Sequence, residues 1–427
     1  MRHWKRLGLL ALLGLTLSWL IGCSNSQSSS NSAESGAQEV EFWTMQLQPQ
    51  FTDYFNELIA DFETENPDIT VRWVDVPWSD MQSKILTAVS AGTAPDVVNL
   101  NPDFASQLAS RNAWLELDDK VPAEAQSEYL PNIWQASALN GSTFGLPWYL
   151  TTSVTIYNKD LLEQAGLSDP PTTYEELAIA AKQVKEATGK YAFFTTFVPE
   201  DSADVLHSFI QMGVPLVNED GSAAFNTPGG KAVFQYWTDL FQSELLPREV
   251  LTQGHRRAIE LYQAGETAIV STSPQFLDTI ANNAPSIAQV SEAAPQITGE
   301  TGAKNVAAMN VVIPQSTDQP EAALDFALFV TNPDNQLTFA KAANVLPSTV
   351  ASLDDPYFAD LPDSAEPGDR ARIVSASQMA DADVLVPAME DIKELQKIIY
   401  TNLQAAMLEQ KTVDEAIADS EQEWNQR

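Results

Sequence analysis

Cysteine occurs once in these 427 residues, at position 23, and histidine three times, at 3, 207 and 255. No disulfide can close within the chain, and a site built from His and Cys metal ligands is all but excluded. The signatures of several chemistries are missing too. There is no Gly-x-x-x-x-Gly-Lys-Ser/Thr loop, no Gly-x-Gly-x-x-Gly after a strand pattern and no Gly-x-Ser-x-Gly elbow. No EF-type calcium loop occurs. Basic residues are scarce: 23 Lys and Arg stand against 58 Asp and Glu. The first 22 residues contain Arg2, Lys5 and Arg6 and no acid, so the remainder carries 20 basic and 58 acidic residues, a formal net charge of −38. Such a surface repels nucleic acid and anionic lipid and disfavours an anionic ligand. Its simplest reading is solubility in a salty envelope.

One apolar run is present, Leu7 to Ile21, behind the basic residues 2, 5 and 6. It is short for a membrane span and reads as a signal segment. Leu20-Ile-Gly-Cys23 fits a lipobox, in which the cysteine is the acceptor of lipid and the first residue of the mature chain. Residues 23–38 are rich in Ser, Asn and Gln and nearly free of apolar side chains. They cannot bury a core and read as a flexible tether.

From Glu39 the pattern alternates strand and helix. Glu39 to Thr44 and Ile69 to Val76 read as strands. Phe51, Phe55, Leu58, Ile59 and Phe62 recur at helical spacing before Asn66-Pro67. Met81, Ile85, Ala88 and Val89 mark a second helix ending at Gly92, and Pro95 to Leu100 a third strand. Asp103 is expected to cap a helix to Asn112. Thr152 to Tyr157 is β-branched and reads as a strand, Asp160 as the cap of a short helix, and Thr172/Glu175 or Thr173/Glu176 as a capping box. Tyr191 to Phe197 and Asn305 to Pro314 read as further strands, and Ile392 to Glu409 and Thr412 to Trp424 as closing helices. The alternation implies right-handed βαβ units.

Ionisable residues show no catalytic pattern. His207, with Asp204 and Ser208, lies on a helical stretch and reads as a satisfied or surface histidine. Asp118-Asp119, Glu175-Glu176 and Asp354-Asp355 read as solvated faces and helix starts rather than a glycosidase pair. His255-Arg-Arg257 reads as a helix start balanced by Glu249 and Glu260.

Pro147-Trp148, Tyr157-Asn-Lys-Asp-Leu-Leu, Ala165-Gly-Leu and Pro171-Thr-Thr-Tyr-Glu-Glu-Leu occur in order. This set resembles the most recognisable segment of the family 1 extracellular solute-binding proteins, the maltose-binding-like receptors of ABC sugar importers. Phe42-Trp43, Ala91-Gly-Thr-Ala-Pro-Asp96-Val-Val, Gly145-Leu-Pro, Ala264-Gly-Glu-Thr-Ala and Asn344-Val-Leu-Pro extend the resemblance over nearly all of Glu39 to Trp424. The resemblance implies a two-lobed α/β fold of the type II periplasmic-binding class. Each lobe would hold a mainly parallel sheet flanked by helices, with strands crossing between lobes. The expected lobes are 39–150 with 308–345, and 151–307 with 346–427. It implies no enzymatic activity and no cofactor or metal. It further implies a monomer outside the cytoplasm, on the periplasmic side, held to the membrane through Cys23 and delivering a solute to ABC permease subunits. The chain departs from the family pattern at Ser271-Thr-Ser-Pro-Gln-Phe, where many members carry a Trp-bearing loop, and at Lys304 to Asn310, where many carry Gly-Gly.

A neutral sugar is held by aromatic faces and by polar side chains that satisfy its hydroxyls. Trp43, Trp78, Trp148, Tyr149 and Phe276 fall near strand ends, where ligands of open α/β sheets bind. Asp80, Asn99, Asn101, Asp103 and Thr151 (with Thr152) offer hydroxyl partners in the same loops. Trp148 is expected as the stacking platform, since a Tyr follows it and the crossing strand begins just beyond. A di- or oligosaccharide or glycoside is therefore the expected ligand. A polyol, a glycerophosphodiester or another small solute is the alternative, and an envelope glycoside hydrolase or a sensory partner without transport are readings of other classes. The sequence also makes a prediction about the anchor. Cys23→Ser should move the protein from the membrane to the soluble envelope fraction on fractionation; equal membrane retention would exclude lipidation at Cys23.

Overall fold

The computed structural model describes residues 38–199, 201–362, 365–386, 388–389 and 391–427. The signal segment, Cys23 and all of the tether but Gln38 lie outside them. The first half-lobe forms as its periodicity dictates. β1 (Gln38–Met45) leads to α1 (Thr52–Glu65), whose Phe55, Leu58 and Phe62 make one buried stripe. β2 (Ile69–Val76) follows, then α2 (Trp78–Ala91), which stops at Gly92 with φ +66°. β3 (Val97–Leu100) is buried on both faces. α3 (Pro102–Ala109) is capped by Asn101, whose side chain accepts from Phe104 N–H, and not by Asp103. Pro102 presets the first helical residue, so the cap falls one place before it and Asp103 sits in the first turn.

The crossing region is β4 (Leu146–Thr152) and β5 (Val154–Asn158), interrupted at Ser153. Asn158 caps the helix that follows, the role expected of Asp160. α4 (Tyr174–Thr188) starts on a complete Thr173/Glu176 capping box. Next come α5 (Asp204–Gln211), α6 (Pro228–Gln242), α7 (His255–Gln263), β6 (Ile269–Thr272) and β7 (Ser291–Ala294). β8 (Lys304–Val312), α8 (Pro320–Val330), α9 (Pro333–Ala343) and β9 (Leu346–Pro347) succeed them. The chain ends through α10 (Pro367–Ser377), β10 (Ala382–Asp383), α11 (Ile392–Met407) and α12 (Val413–Asn425). The strand expected at Tyr191–Phe197 is reduced to one bridge, Tyr191 to Thr267. Beyond it the chain leaves the sheet, and Phe193 and Phe197 pack on Trp237 instead.

The larger sheet has the order β9-β4-β8-β3-β1-β2, with β10 added to the end of β8. β2 and β3 run parallel to β1, while β8 runs antiparallel to β3 and β4. Leu346–Pro347, expected at the head of the second lobe's last segment, is a strand of this sheet, antiparallel to β4. The smaller sheet, β6-β5-β7, is antiparallel throughout rather than mainly parallel. β5 enters it directly from the crossing, and both of its neighbours run back toward the crossing. Strand–helix alternation in the sequence carries no information about strands added that way.

Two apolar cores result. One gathers Val40 to Tyr149 with Met309 to Phe339, and the other Val154 to Ile280 with Ala371 to Trp424. A separate small cluster includes Leu150, Val306, Ala308, Leu346 and Met379, from the crossing strands and the segments beside them. There the crossing segments are laced by buried amides. Gln296 Nε2 donates to Thr152 Oγ1 and to the Asn305 carbonyl, and Asn305 N–H donates to Gln296 Oε1 at 3.0 Å. Gln378 Oε1 accepts from Gln296 N–H at 2.7 Å, and its Nε2 donates to the Ser153 carbonyl at 3.2 Å. Leu385 N–H donates to Asn305 Oδ1 at 3.3 Å.

Trp148 belongs to the first core, which corrects the expectation that it faces the cleft. It is 0% exposed, lies stacked on Phe339 at 4.7 Å between ring centroids and meets Phe55 edge-on. β4 is flanked by β8 and β9 and covered by α9, so no face of it is left for solvent. Trp148→Ala should therefore cost about 3–5 kcal/mol of unfolding free energy, measured by denaturant titration of the ligand-free protein. A loss below about 1 kcal/mol would contradict this placement.

Candidate ligand-binding cleft

A groove of about 660 Å³ runs between elements of the two cores. Trp78, Gln82, Asn101, Asp103, Phe104 and Gln107 line it from α2, α3 and the cap between β3 and α3. Pro199, Asp201 and the start of α11, from Asp391 to Lys397, face them. The wall from the first core follows from the βαβ pattern, which brings the loops after β2 and β3 to one edge of the sheet. Trp78 opens α2 directly after Pro77 and leaves 46% of its surface exposed, the largest exposed aromatic among the described residues. A Trp exposed in a groove beside amide side chains matches what a sugar ring requires, an apolar face and hydroxyl partners.

The groove is lined by four carboxylates, Asp103, Asp201, Asp391 and Glu394, and two lysines, Lys393 and Lys397. Asp103 pairs with Lys393 at 2.7 Å, Asp391 with Arg427 at 2.9 Å, and Lys397 approaches Glu394 at 3.9 Å. Asp201 accepts from His255 N–H at 2.6 Å at the start of α7, where a carboxylate complements the helix dipole. A Cβ at Gly254 would collide with that carboxylate, so glycine is required for the approach. Three of the carboxylates are paired with cations and Asp201 is not, so the groove is net acidic, which disfavours an anionic ligand and leaves a neutral, hydroxyl-rich one.

A smaller chamber lies between the crossing and the second core. Ser153, Gln296 and Asn305 line it from the crossing, and Tyr174, Phe193, Asp204, His207, Gln211 and Trp237 from the lobe. Tyr174 donates its hydroxyl proton to Gln211 Oε1 at 2.6 Å, and burial pushes its pKa well up. His207 Nδ1 stands 3.8 Å from Asp204 Oδ1. Burial opposes the Asp204 charge, but the imidazoles of His207 and His255 and the Ser202 hydroxyl outweigh it and hold the carboxyl below the usual range. Among the described residues no group of three or more His, Cys, Asp or Glu is gathered so as to hold a metal.

Of the ten expected contact residues, the groove brings together Trp78, Asn101 and Asp103. Asp80 stands two residues from Trp78 but outside the lining. Trp43, Asn99, Trp148 and Tyr149 are buried with the first core. Lys84 covers the Trp43 ring at 4.4 Å, and Trp43 Nε1 donates to Glu41. Thr151 lines a separate small hollow with Pro274 and Arg372, and Phe276 packs against the second core. Sequence reasoning missed Gln82, Phe104 and Gln107, which lie at helical spacing beside expected residues, and Lys393 and Lys397, for which no local signal exists.

This fold, two cores joined by crossing strands with a groove between their elements, defines a two-lobed binding protein of the type II periplasmic class. The model for bacterial extracellular solute-binding proteins matches residues 48–337, and the chain belongs to that family. It is similar to a periplasmic-binding protein from Synechococcus sp. MITs9220, provisionally described as oligosaccharide-binding and solved in complex with zinc. The two are 44% identical with a TM-score of 0.84, over 91% of this chain and 98% of that one. An arabinooligosaccharide-binding protein from Halalkalibacterium halodurans is 27% identical, over 69% of this chain and 67% of the relative. A mannitol-binding protein from Pseudomonas aeruginosa is 25% identical, over 70% and 72%. No helix among the described residues is long and apolar enough to cross a membrane.

Proposed function

We propose that the protein captures a neutral di- or oligosaccharide, or a glycoside, in the groove at Trp78 and delivers it to the permease of an ABC transporter. It acts as a receptor without catalysis, anchored outside the cytoplasm through lipid on Cys23. The observation that carries this is the exposed Trp78 ring on one wall, among Gln82, Asn101 and Gln107, facing α11 on the other. The lobes are 39–150 with 308–345 and 151–307 with 346–427, of which Leu346–Pro347 pairs into the first sheet, and they close over the ligand about the crossing. The arabinooligosaccharide- and mannitol-binding relatives support a sugar or polyol. The excess of carboxylates over lysines in the lining favours a neutral ligand over an anionic glycerophosphodiester.

The experiment is a thermal-shift screen of the pure protein against neutral oligosaccharides, polyols and glycerophosphodiesters, with chromatography of each mixture afterwards. A receptor raises its melting temperature with one class and returns it intact. Hydrolysis of the sugar, or a shift only with phosphodiesters, would overturn the reading. With a hit in hand, Trp78→Ala should weaken binding by about tenfold to a hundredfold, corresponding to about 1–3 kcal/mol for an aromatic anchor. Its ligand-free melting temperature should stay near wild type, because the ring is half exposed. Unchanged affinity would remove Trp78 from the site.

A further inference from the structure

Among the ion pairs of the described residues, Asp103–Lys393 is the one that joins the two cores across the groove. Asp103 stands in the first turn of α3, whose Ala105 and Leu108 belong to the first core. Lys393 stands in the first turn of α11, whose Ile392 and Leu395 belong to the second. The two positions differ in what their helices favour. A helix N-terminus carries partial positive charge, so Asp103 is well placed and Lys393 is opposed by its own helix. Acids would suit that turn, and Asp391 and Glu394 flank Lys393 there. Those two acids are paired elsewhere, Asp391 with Arg427 and Glu394 with Lys397. The partner of Lys393 is the carboxylate on the far wall, at 2.7 Å.

We propose that Lys393 is a closure-setting residue. Its pairing with Asp103 holds the ligand-free lobes together at the groove mouth, so that less of the binding free energy of a sugar is consumed in closing them. This rests on the reading of the groove as a cleft between closing lobes, but not on the identity of the ligand. Both side chains are about half exposed, so the pair is worth only a modest shift in the open–closed equilibrium and is screened by salt. In affinity that corresponds to about two- to fivefold.

The test is a distance measurement on ligand-free full-length protein by pulsed electron paramagnetic resonance. Spin labels are placed at Thr87→Cys on α2 and Glu186→Cys on α4 in a Cys23→Ser background, both exposed positions on elements of different cores. Wild type at position 393 should give a short, narrow distribution that lengthens in high salt. Lys393→Glu should give a longer, broader one that salt does not lengthen further. The charge-reversed pair Asp103→Lys with Lys393→Asp should return the short distribution. Circular dichroism and melting of each variant verify folding, which an exposed substitution leaves intact. A Lys393→Glu distribution that coincides with wild type would overturn the proposal, as would failure of the reversed pair to restore it. Because no ligand enters this measurement, it stands or falls separately from the sugar screen.

Discussion

The two cores are joined beside a small knot of buried amides, and the placement of one against the other rests on it. Gln296 and Gln378 tie Thr152, Ser153 and Asn305 together, and Asn305 in turn receives Leu385 N–H. Those residues come from separate passes of the chain between the cores. A buried amide left without partners costs more than a made hydrogen bond contributes, so the knot holds its members in register. Gln296 and Gln378 are both nearly inaccessible to water. The apolar cluster around Leu150, Val306 and Met379 excludes solvent beside them. Each core is large and separately packed, while the connection between them is narrow. Rotation about the connection therefore disturbs less buried surface than any rearrangement inside a core.

The groove inherits its shape from that arrangement. Its first wall is a product of local rules: a proline before Trp78, an asparagine cap before Pro102 and two helices starting at one sheet edge. Its second wall is assembled from afar, by the loop before α5 and the first turn of α11. Lys393 and Lys397 lie nearly three hundred residues beyond Asn101 in sequence, and only the return of the chain through the crossing brings them opposite it.

That difference explains how much the sequence revealed. Helices with a clean apolar stripe and an end signal, Asn66-Pro67 for α1, Gly92 for α2 and a capping box for α4, are legible because those signals are local. The fold class was legible through an ordered set of motifs. Asn101 and Asp103 were found because both follow a strand end, although their capping roles fell to the asparagine alone. Trp148 was misplaced for an identifiable reason. Proximity to the crossing does not entail proximity to the ligand, since β4 is buried on both faces and shows no polar alternation. Gln296 and Gln378 carry different local signals: Gln296 stands between Pro295 and Ile297, whereas Gln378 follows Ser375 and Ser377 and is not marked out from its neighbours. A buried polar residue is the more informative signal, since it must be paired.

If the protein closes as proposed, two rigid lobes turn about the Gln296–Gln378 knot when ligand enters. Crystal structures of one preparation, ligand-free and with its sugar, test this directly. Each core should superpose on itself unchanged. Backbone torsion changes should be confined to Thr152–Ser153, to the stretch from Gln296 to Asn305 and to the residues after Gln378. A sugar bound with no relative rotation, or with rearrangement inside either core, would contradict the account.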